Sequence, residues 1–149
     1  MTGRDHLHHI DRRGFLVTCA ASACGFAATG CASLTTHPVT ALNGVVRLSL
    51  ADHPDLARPR GSLRILPTGE RDPLYVLALG DDQFAALSLV CTHRGCTVEL
   101  QDENLVCPCH GSTYDRNGAV LRGPAEQPLR RFRVRVQPGA IEIVLKEPA

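Results

Sequence analysis

Two short segments of this chain place cysteine and histidine at spacings that suit a metal centre. Residues 91–96 read CTHRGC and residues 107–112 read CPCHGS. Each box offers one thiolate and one imidazole to a common centre, with a second cysteine left over. Two Cys and two His also satisfy tetrahedral zinc, but zinc fingers usually pair Cys with Cys and His with His. Because each box mixes the two types, and more than four candidate ligands are present, the pattern favours a 2Fe–2S cluster.

The two boxes, in this order and with these neighbours, resemble the Rieske iron–sulfur proteins. The resemblance implies that Cys91 and Cys107 hold one iron of a single 2Fe–2S cluster, while His93 and His110 hold the other. Two ferric ions, two sulfides and two thiolates sum to zero charge, and neutral imidazoles leave that sum unchanged. A Rieske cluster therefore accepts an electron more easily than an all-cysteine cluster does. Rieske reduction potentials lie between about −150 and +300 mV. The expected role is electron transfer, by a redox subunit or carrier without catalytic residues of its own.

Four further residues match the high-potential branch of that family. There, positions equivalent to Cys96 and Cys109 form a disulfide between the two cluster loops, whereas dioxygenase ferredoxins generally lack both cysteines. Ser112 and Tyr114 match a serine and a tyrosine that donate hydrogen bonds to a bridging sulfide and to the first cysteine sulfur, here that of Cys91. Such donors stabilise the reduced cluster and raise its potential.

The N-terminus resembles a twin-arginine export signal. Arg12 and Arg13 precede a mildly apolar stretch that ends near Leu34, and this pathway carries folded, cluster-loaded proteins. We expect residues 1–31 to be a signal peptide or a retained signal anchor. Residues 28–31 resemble a lipoprotein box, which makes Cys31 a candidate for lipidation. A lipid or a retained signal anchor would hold the protein at the outer face of the cytoplasmic membrane. Simple cleavage of the signal peptide would release it into the periplasm.

The remainder predicts an all-β protein. Residues 32–44 read as a polar linker and 45–149 as one small Rieske-type domain, an antiparallel β-sandwich with a cluster-binding subdomain at about 89–125. Glycine-containing turns separate short apolar runs without helical periodicity. The runs are Val45–Leu50, Leu63–Leu66, Leu74–Leu79, Phe84–Val90, Asn104–Cys107, Leu129–Val136 and Ile141–Leu145.

Such a small core should depend on the cluster and on the Cys96–Cys109 link for stability. The net charge of +1 gives no basis for binding nucleic acid. Arg131, Arg133 and Arg135 alternate with apolar residues, which predicts a solvated strand face and, as an alternative, a patch for an acidic redox partner.

Three roles remain open from the sequence. The first is a stand-alone carrier that passes electrons to a c-type cytochrome or similar acceptor. The second is the iron–sulfur subunit of a quinol–cytochrome c reductase, and a third is the small subunit of a periplasmic molybdenum oxidase such as arsenite oxidase. Arg94 favours the carrier, because quinol-oxidising subunits typically have an apolar Leu there and a guanidinium is costly to bury.

Overall fold

A computed structural model describes residues 35–146 of the chain. These residues form β-strands joined by turns, and every apolar run predicted from the sequence overlaps a strand, so the all-β prediction is confirmed. The strands are β1 His37–Val39, β2 Ala41–Leu42, β3 Val45–Ser49, β4 Ser62–Pro67, β5 Leu74–Gly80, β6 Gln83–Ser88, β7 Glu99–Gln101, β8 Asn104–Val106, β9 Thr113–Tyr114, β10 Val120–Arg122, β11 Arg131–Gln137 and β12 Ala140–Val144.

Eight strands form one sheet, here called the base, in the order β1-β4-β5-β6-β11-β12-β3-β2. The β1–β4 pair is parallel and the other pairs are antiparallel. Strand β11 belongs to both halves of the base, because Arg131 and Phe132 pair with β6 whereas the residues from Arg133 onward pair with β12. Buried side chains from both halves meet in one core, which includes Val46, Ile65, Val76 and Ile141. The halves therefore pack face to face, as in a sandwich.

The other four strands form a second sheet, here called the small sheet, in the order β10-β9-β8-β7. Its buried side chains pack against the outer face of β5 and β6, where Tyr75 and Leu77 lie in one core with Leu105 and Tyr114. Val76, on the opposite face of β5, lies in the core of the base. Strand β5 is thus covered on both faces. This explains why its sequence is a continuous apolar run rather than an alternating one.

Three turns confirm the prediction that glycine-containing turns separate the strands. The β5–β6 connection places Asp81 and Asp82 at φ values of 48° and 55°, the left-handed conformation that two-residue hairpin turns require. Asn117-Gly118 and Pro138-Gly139 also lie in turns. Asp115 stabilises the Asn117-Gly118 turn, because its carboxylate accepts hydrogen bonds from the N–H groups of Asn117 and Ala119.

Residues 32–44, which the sequence indicates as a polar linker, include two short strands. Within the described part of this segment, β1 pairs with β4 and β2 pairs with β3, so at least residues 37–42 belong to the base. These strands are too short to show alternation, and Pro38 argues against a strand except at an edge, which is where β1 lies. The short strands β7, β9 and β10 were also not predicted, because they are too short to show a hydrophobic pattern.

Strand β11 only partly follows its predicted alternation. The three arginines are exposed and Phe132 is buried, but Val136 is 49% exposed because the strand extends beyond the core. No helix within residues 35–146 has the length and apolar character to cross a membrane. The predicted export signal in residues 1–31, with Cys31, lies outside the described residues.

Candidate metal centre

The first box forms a tight loop after β6. The N–H of Gly95 donates to the carbonyl of Cys91 at 2.8 Å, and the N–H of Cys91 donates to the carbonyl of Cys96 at 2.8 Å. Gly95 has a φ of 77°, a conformation that side chains with a Cβ rarely adopt. The loop therefore closes on itself and brings its last cysteine back beside its first.

The second box, between β8 and β9, repeats this geometry. The N–H of Gly111 donates to the carbonyl of Cys107 at 2.9 Å, and the N–H of Cys107 donates to the carbonyl of Ser112 at 2.8 Å. Gly111 has a φ of 75°. The shared pattern of a cysteine with a glycine four residues later thus produces two equivalent loops, each presenting one buried thiol.

A disulfide between Cys96 and Cys109 joins the two loops, as the family resemblance implied. It links positions that are 13 residues apart in sequence. Cys96 is half-buried and Cys109 is exposed. The bond therefore lies at the tip of the small sheet and holds the two loops together.

The imidazoles of His93 and His110 lie side by side at this tip. Their ring centroids are 4.8 Å apart and the rings are nearly perpendicular, at 89°. Nδ1 of His93 is buried and has no hydrogen-bond partner in the described part of the chain. Because buried polar atoms are nearly always satisfied, this unpaired nitrogen fits a metal ligand. His110 is exposed and His93 is half-buried, so the pair is reachable from solvent.

Cys91 and Cys107 are the free cysteines among residues 35–146, and both are buried. Burial raises the pKa of the Cys91 thiol, but hydrogen bonds from Tyr114 and from the N–H groups of His93 and Arg94 outweigh it, so the net pKa is lowered. For Cys107, burial and the neighbouring Cys91 thiol raise the pKa. Backbone N–H groups around both sulfurs supply the charge stabilisation that metal-bound thiolates need.

Tyr114 connects the small sheet to the first loop. Its side chain is fully buried, and its hydroxyl lies 3.3 Å from Sγ of Cys91. Burial and the Cys91 sulfur raise the pKa of the phenol, which keeps its proton on oxygen. The phenol is therefore placed to donate a hydrogen bond to the sulfur.

Thr92 is a contributor that the sequence reasoning missed. Its hydroxyl donates to the carbonyl of Gln127 at 2.6 Å, and its N–H donates to the Tyr114 hydroxyl at 3.2 Å. Oγ1 of Thr92 also lies 3.0 Å from the phenol oxygen. Thr92 thus orients Tyr114 and ties the first loop to the segment after residue 125. A threonine between two predicted ligands was the available signal.

Ser112 is fully buried and lies against the proline-containing loop. Its Oγ accepts the N–H of Ala125 at 3.0 Å, which leaves the hydroxyl proton free for another acceptor. This arrangement is compatible with the expected hydrogen bond to a bridging sulfide. The same contact holds down the segment Gly123-Pro124-Ala125, whose Gly123–Pro124 peptide is cis.

The disulfide limits which side chains can hold a metal. A group of three sulfurs, from Cys96, Cys107 and Cys109, lies within 4.8 Å of one another. Two of these sulfurs form the disulfide and cannot act as thiolates. What remains is two buried thiols and two imidazoles, one with an orphaned buried nitrogen.

Comparison with known proteins agrees with this donor set. The family described as Rieske [2Fe-2S] domain matches residues 52–133, which include both loops. The cytochrome b6-f complex iron-sulfur subunit 2 of Nostoc sp. is 32% identical over 133 residues, covering 83% of this chain and 75% of that protein. The cytochrome b6-f complex iron-sulfur subunit of Synechococcus elongatus is 50% identical over 58 residues, covering 36% of this chain and 32% of that protein.

The solved structures agree as well. The plasma membrane Rieske protein of the cyanobacterium Synechocystis PCC 6803 is 32% identical with a TM-score of 0.53, and the match covers 64% of this chain and 93% of that one. One Rieske 2Fe–2S cluster is therefore the cofactor, and electron transfer is its chemistry. The chain belongs to the Rieske [2Fe-2S] family.

Proposed function

We propose that this protein is an exported Rieske electron carrier, attached to the outer face of the cytoplasmic membrane. When bound, the cluster supplies one-electron oxidation and reduction. The observation that carries the proposal is the imidazole pair at one tip, with His110 exposed and His93 half-buried, beside the charged and exposed Arg94. A partner can approach this tip without displacing any other part of the described domain.

We assign Cys91 and Cys107 to one iron and His93 and His110 to the other. The two cysteines are buried and free, which suits the inner iron. The histidines lie nearer solvent, which suits the outer iron and a short electron path to a docked protein.

We also assign the cluster to the high-potential branch. The Cys96–Cys109 disulfide, the buried Ser112 hydroxyl and the Tyr114 hydroxyl at 3.3 Å from the Cys91 sulfur support this assignment. Hydrogen bonds toward the cluster sulfurs favour the reduced form, because it carries more negative charge. A redox titration of the purified protein, followed by its electron paramagnetic resonance, would test it. A midpoint potential typical of low-potential dioxygenase ferredoxins would contradict the assignment.

We propose that residues 1–31 direct twin-arginine export and that Cys31 carries a lipid, with a retained signal anchor as the alternative. Replacing Arg12 and Arg13 with lysine should leave the cluster-loaded protein in the cytoplasm. Cys31→Ser should release the protein from membranes if a lipid on Cys31 is the anchor. The variant should stay on the membrane if the retained leader is the anchor. Protease accessibility in spheroplasts measures the first effect and membrane fractionation the second. Unchanged export of the lysine variant would refute the twin-arginine assignment.

The similarity to cytochrome b6-f iron-sulfur subunits favours a second candidate, the iron–sulfur subunit of a quinol-oxidising complex. Arg94 argues against it, because a guanidinium is costly to bury in an apolar quinol pocket. Extraction in mild detergent, followed by native gel electrophoresis, separates the candidates. A carrier migrates alone, whereas a stable complex with a cytochrome b or a molybdenum oxidase subunit would overturn the carrier proposal.

Partner docking is tested with a matched pair of variants. Arg94→Gln removes one charge beside His93, and Arg135→Gln removes one exposed charge from β11. For a c-type cytochrome as acceptor, we expect Arg94→Gln to slow electron transfer several-fold at low ionic strength, with an effect that fades in salt. Arg135→Gln should leave the rate unchanged. Slowing by Arg135→Gln alone would place docking on the β11 arginines instead.

A further inference from the structure

Arg116 lies at the end of the small sheet farthest from the metal centre. Strand β8 runs into the second loop and β9 runs out of it, so the turns before β8 and after β9 share the opposite end. Glu103 lies in the first of these turns and Arg116 follows β9. Nη1 of Arg116 is 4.0 Å from a carboxylate oxygen of Glu103.

The Arg116 side chain reaches across to the base. Its Nη2 donates to the main-chain carbonyls of Arg60 at 2.8 Å and Gly61 at 2.9 Å, and lies 3.3 Å from that of Ala78. Only 12% of the side chain is exposed. A guanidinium so enclosed has lost most of its hydration, and burial lowers its pKa. These carbonyls therefore replace water as its main hydrogen-bond partners.

The base is shaped to receive this side chain. Arg60 has a φ of 60°, a left-handed conformation that a residue with a Cβ adopts at a cost. Gly61 cannot be replaced without rearrangement, because a Cβ there would lie 1.8 Å from the carbonyl oxygen of Asp55. The chain thus turns sharply at residues 60 and 61 and directs two successive carbonyls toward Arg116.

A second, outer contact joins the same two parts. Nε of Arg60 lies 3.1 Å from a carboxylate oxygen of Glu103. These side chains are 69% and 41% exposed although Oε2 of Glu103 is itself buried, so salt and water screen part of their attraction. The buried Arg116 contacts are protected from that screening and should dominate.

We infer that Arg116 is a positioning residue that fastens the far end of the small sheet to the base. The apolar core between Leu77, Leu87 and Leu105 attaches the sheet along its face, but apolar packing is not directional. The hydrogen bonds from Nη2 of Arg116 to main-chain carbonyls at fixed positions are directional. Because one end of the sheet is held, the imidazole-bearing tip at the other end keeps a fixed orientation on the base. The metal centre then moves with the whole domain rather than by flexing within it.

Hydrogen exchange of the cluster-loaded, full-length protein tests the inference with three variants. Arg116→Met keeps the aliphatic stem and removes all charge, Arg116→Lys keeps a charge without the guanidinium, and Glu103→Gln removes the carboxylate charge that faces both Arg60 and Arg116. In Arg116→Met we expect amides of residues 99–119 to exchange at least about tenfold faster, which corresponds to about 1.4 kcal/mol. Amides of β11 and β12 should keep the wild-type rate. Arg116→Lys should be intermediate, and Glu103→Gln should be close to wild type.

Comparing amide exchange in the two sheets distinguishes a positioning role of Arg116 from a general effect on stability. Equal acceleration in both sheets would show that Arg116 only stabilises the fold and would overturn the inference, as would wild-type exchange in both Arg116 variants. If Arg116→Met fails to retain its cluster, Arg116→Lys decides by the same comparison. The paramagnetic spectrum and midpoint potential should stay at their wild-type values in Arg116→Lys, because the contact is remote from the ligands.

Discussion

Tyr114→Phe is the most direct test of how the protein raises the potential of its cluster. The substitution removes one hydroxyl that lies 3.3 Å from Sγ of Cys91 and keeps the buried ring. Reduction adds negative charge to the cluster and to its thiolate ligands, so a donor at this sulfur stabilises the reduced form more than the oxidised one. Loss of the donor should therefore lower the midpoint potential while leaving the cluster assembled.

The magnitude follows from the hydrogen bond. A bond to a charged group contributes about 1.5–3 kcal/mol, and the hydroxyl here is shared, because Oγ1 of Thr92 lies 3.0 Å from it. About 1–2 kcal/mol then remains as the difference between the two redox states. For a one-electron couple, 59 mV corresponds to about 1.4 kcal/mol, so the potential should fall by about 40–85 mV.

The measurement is a redox titration monitored by paramagnetic resonance at neutral pH. The raised pKa of Tyr114 keeps its proton in place through this range, so the difference from wild type should not change between about pH 6 and 8. Tyr75→Phe is the matched control, because Tyr75 is buried in the same core without being placed at the Cys91 sulfur. An unchanged or higher potential in Tyr114→Phe, with the Rieske signal intact, would refute the reasoning.

Three further outcomes are expected. Cys96→Ser or Cys109→Ser should lower both the potential and the melting temperature, because a loop of this size contributes about 3 kcal/mol when closed; wild-type values in both variants would contradict a role for the disulfide. His93→Ala or His110→Ala should abolish the Rieske paramagnetic signal, and a surviving signal would remove that histidine from the ligand set. Chelation of the iron should leave a poorly folded chain, since two buried thiols and an orphaned imidazole nitrogen lose their partner; a cooperative melt at the same temperature would argue otherwise.

The metal centre was predicted before the fold was known, from the two boxes and from their resemblance to Rieske proteins. The glycine four residues after each first cysteine, at positions 95 and 111, forces the same closed loop twice. Apolar runs such as Leu74–Leu79 likewise predicted the buried strands, because their length and composition suit few alternatives.

Contacts between distant segments were decided only by the tertiary structure. The linker residues 37–42 became strands because the edges of the base offered unpaired backbone groups to them. Thr92 acquired its role from Gln127, which is 35 residues away, and Arg116 from carbonyls that are 38 to 56 residues away. A sequence pattern records what neighbours along the chain can do together. It does not record which carbonyl will face a buried guanidinium once two sheets have packed, because that depends on the geometry of the whole fold.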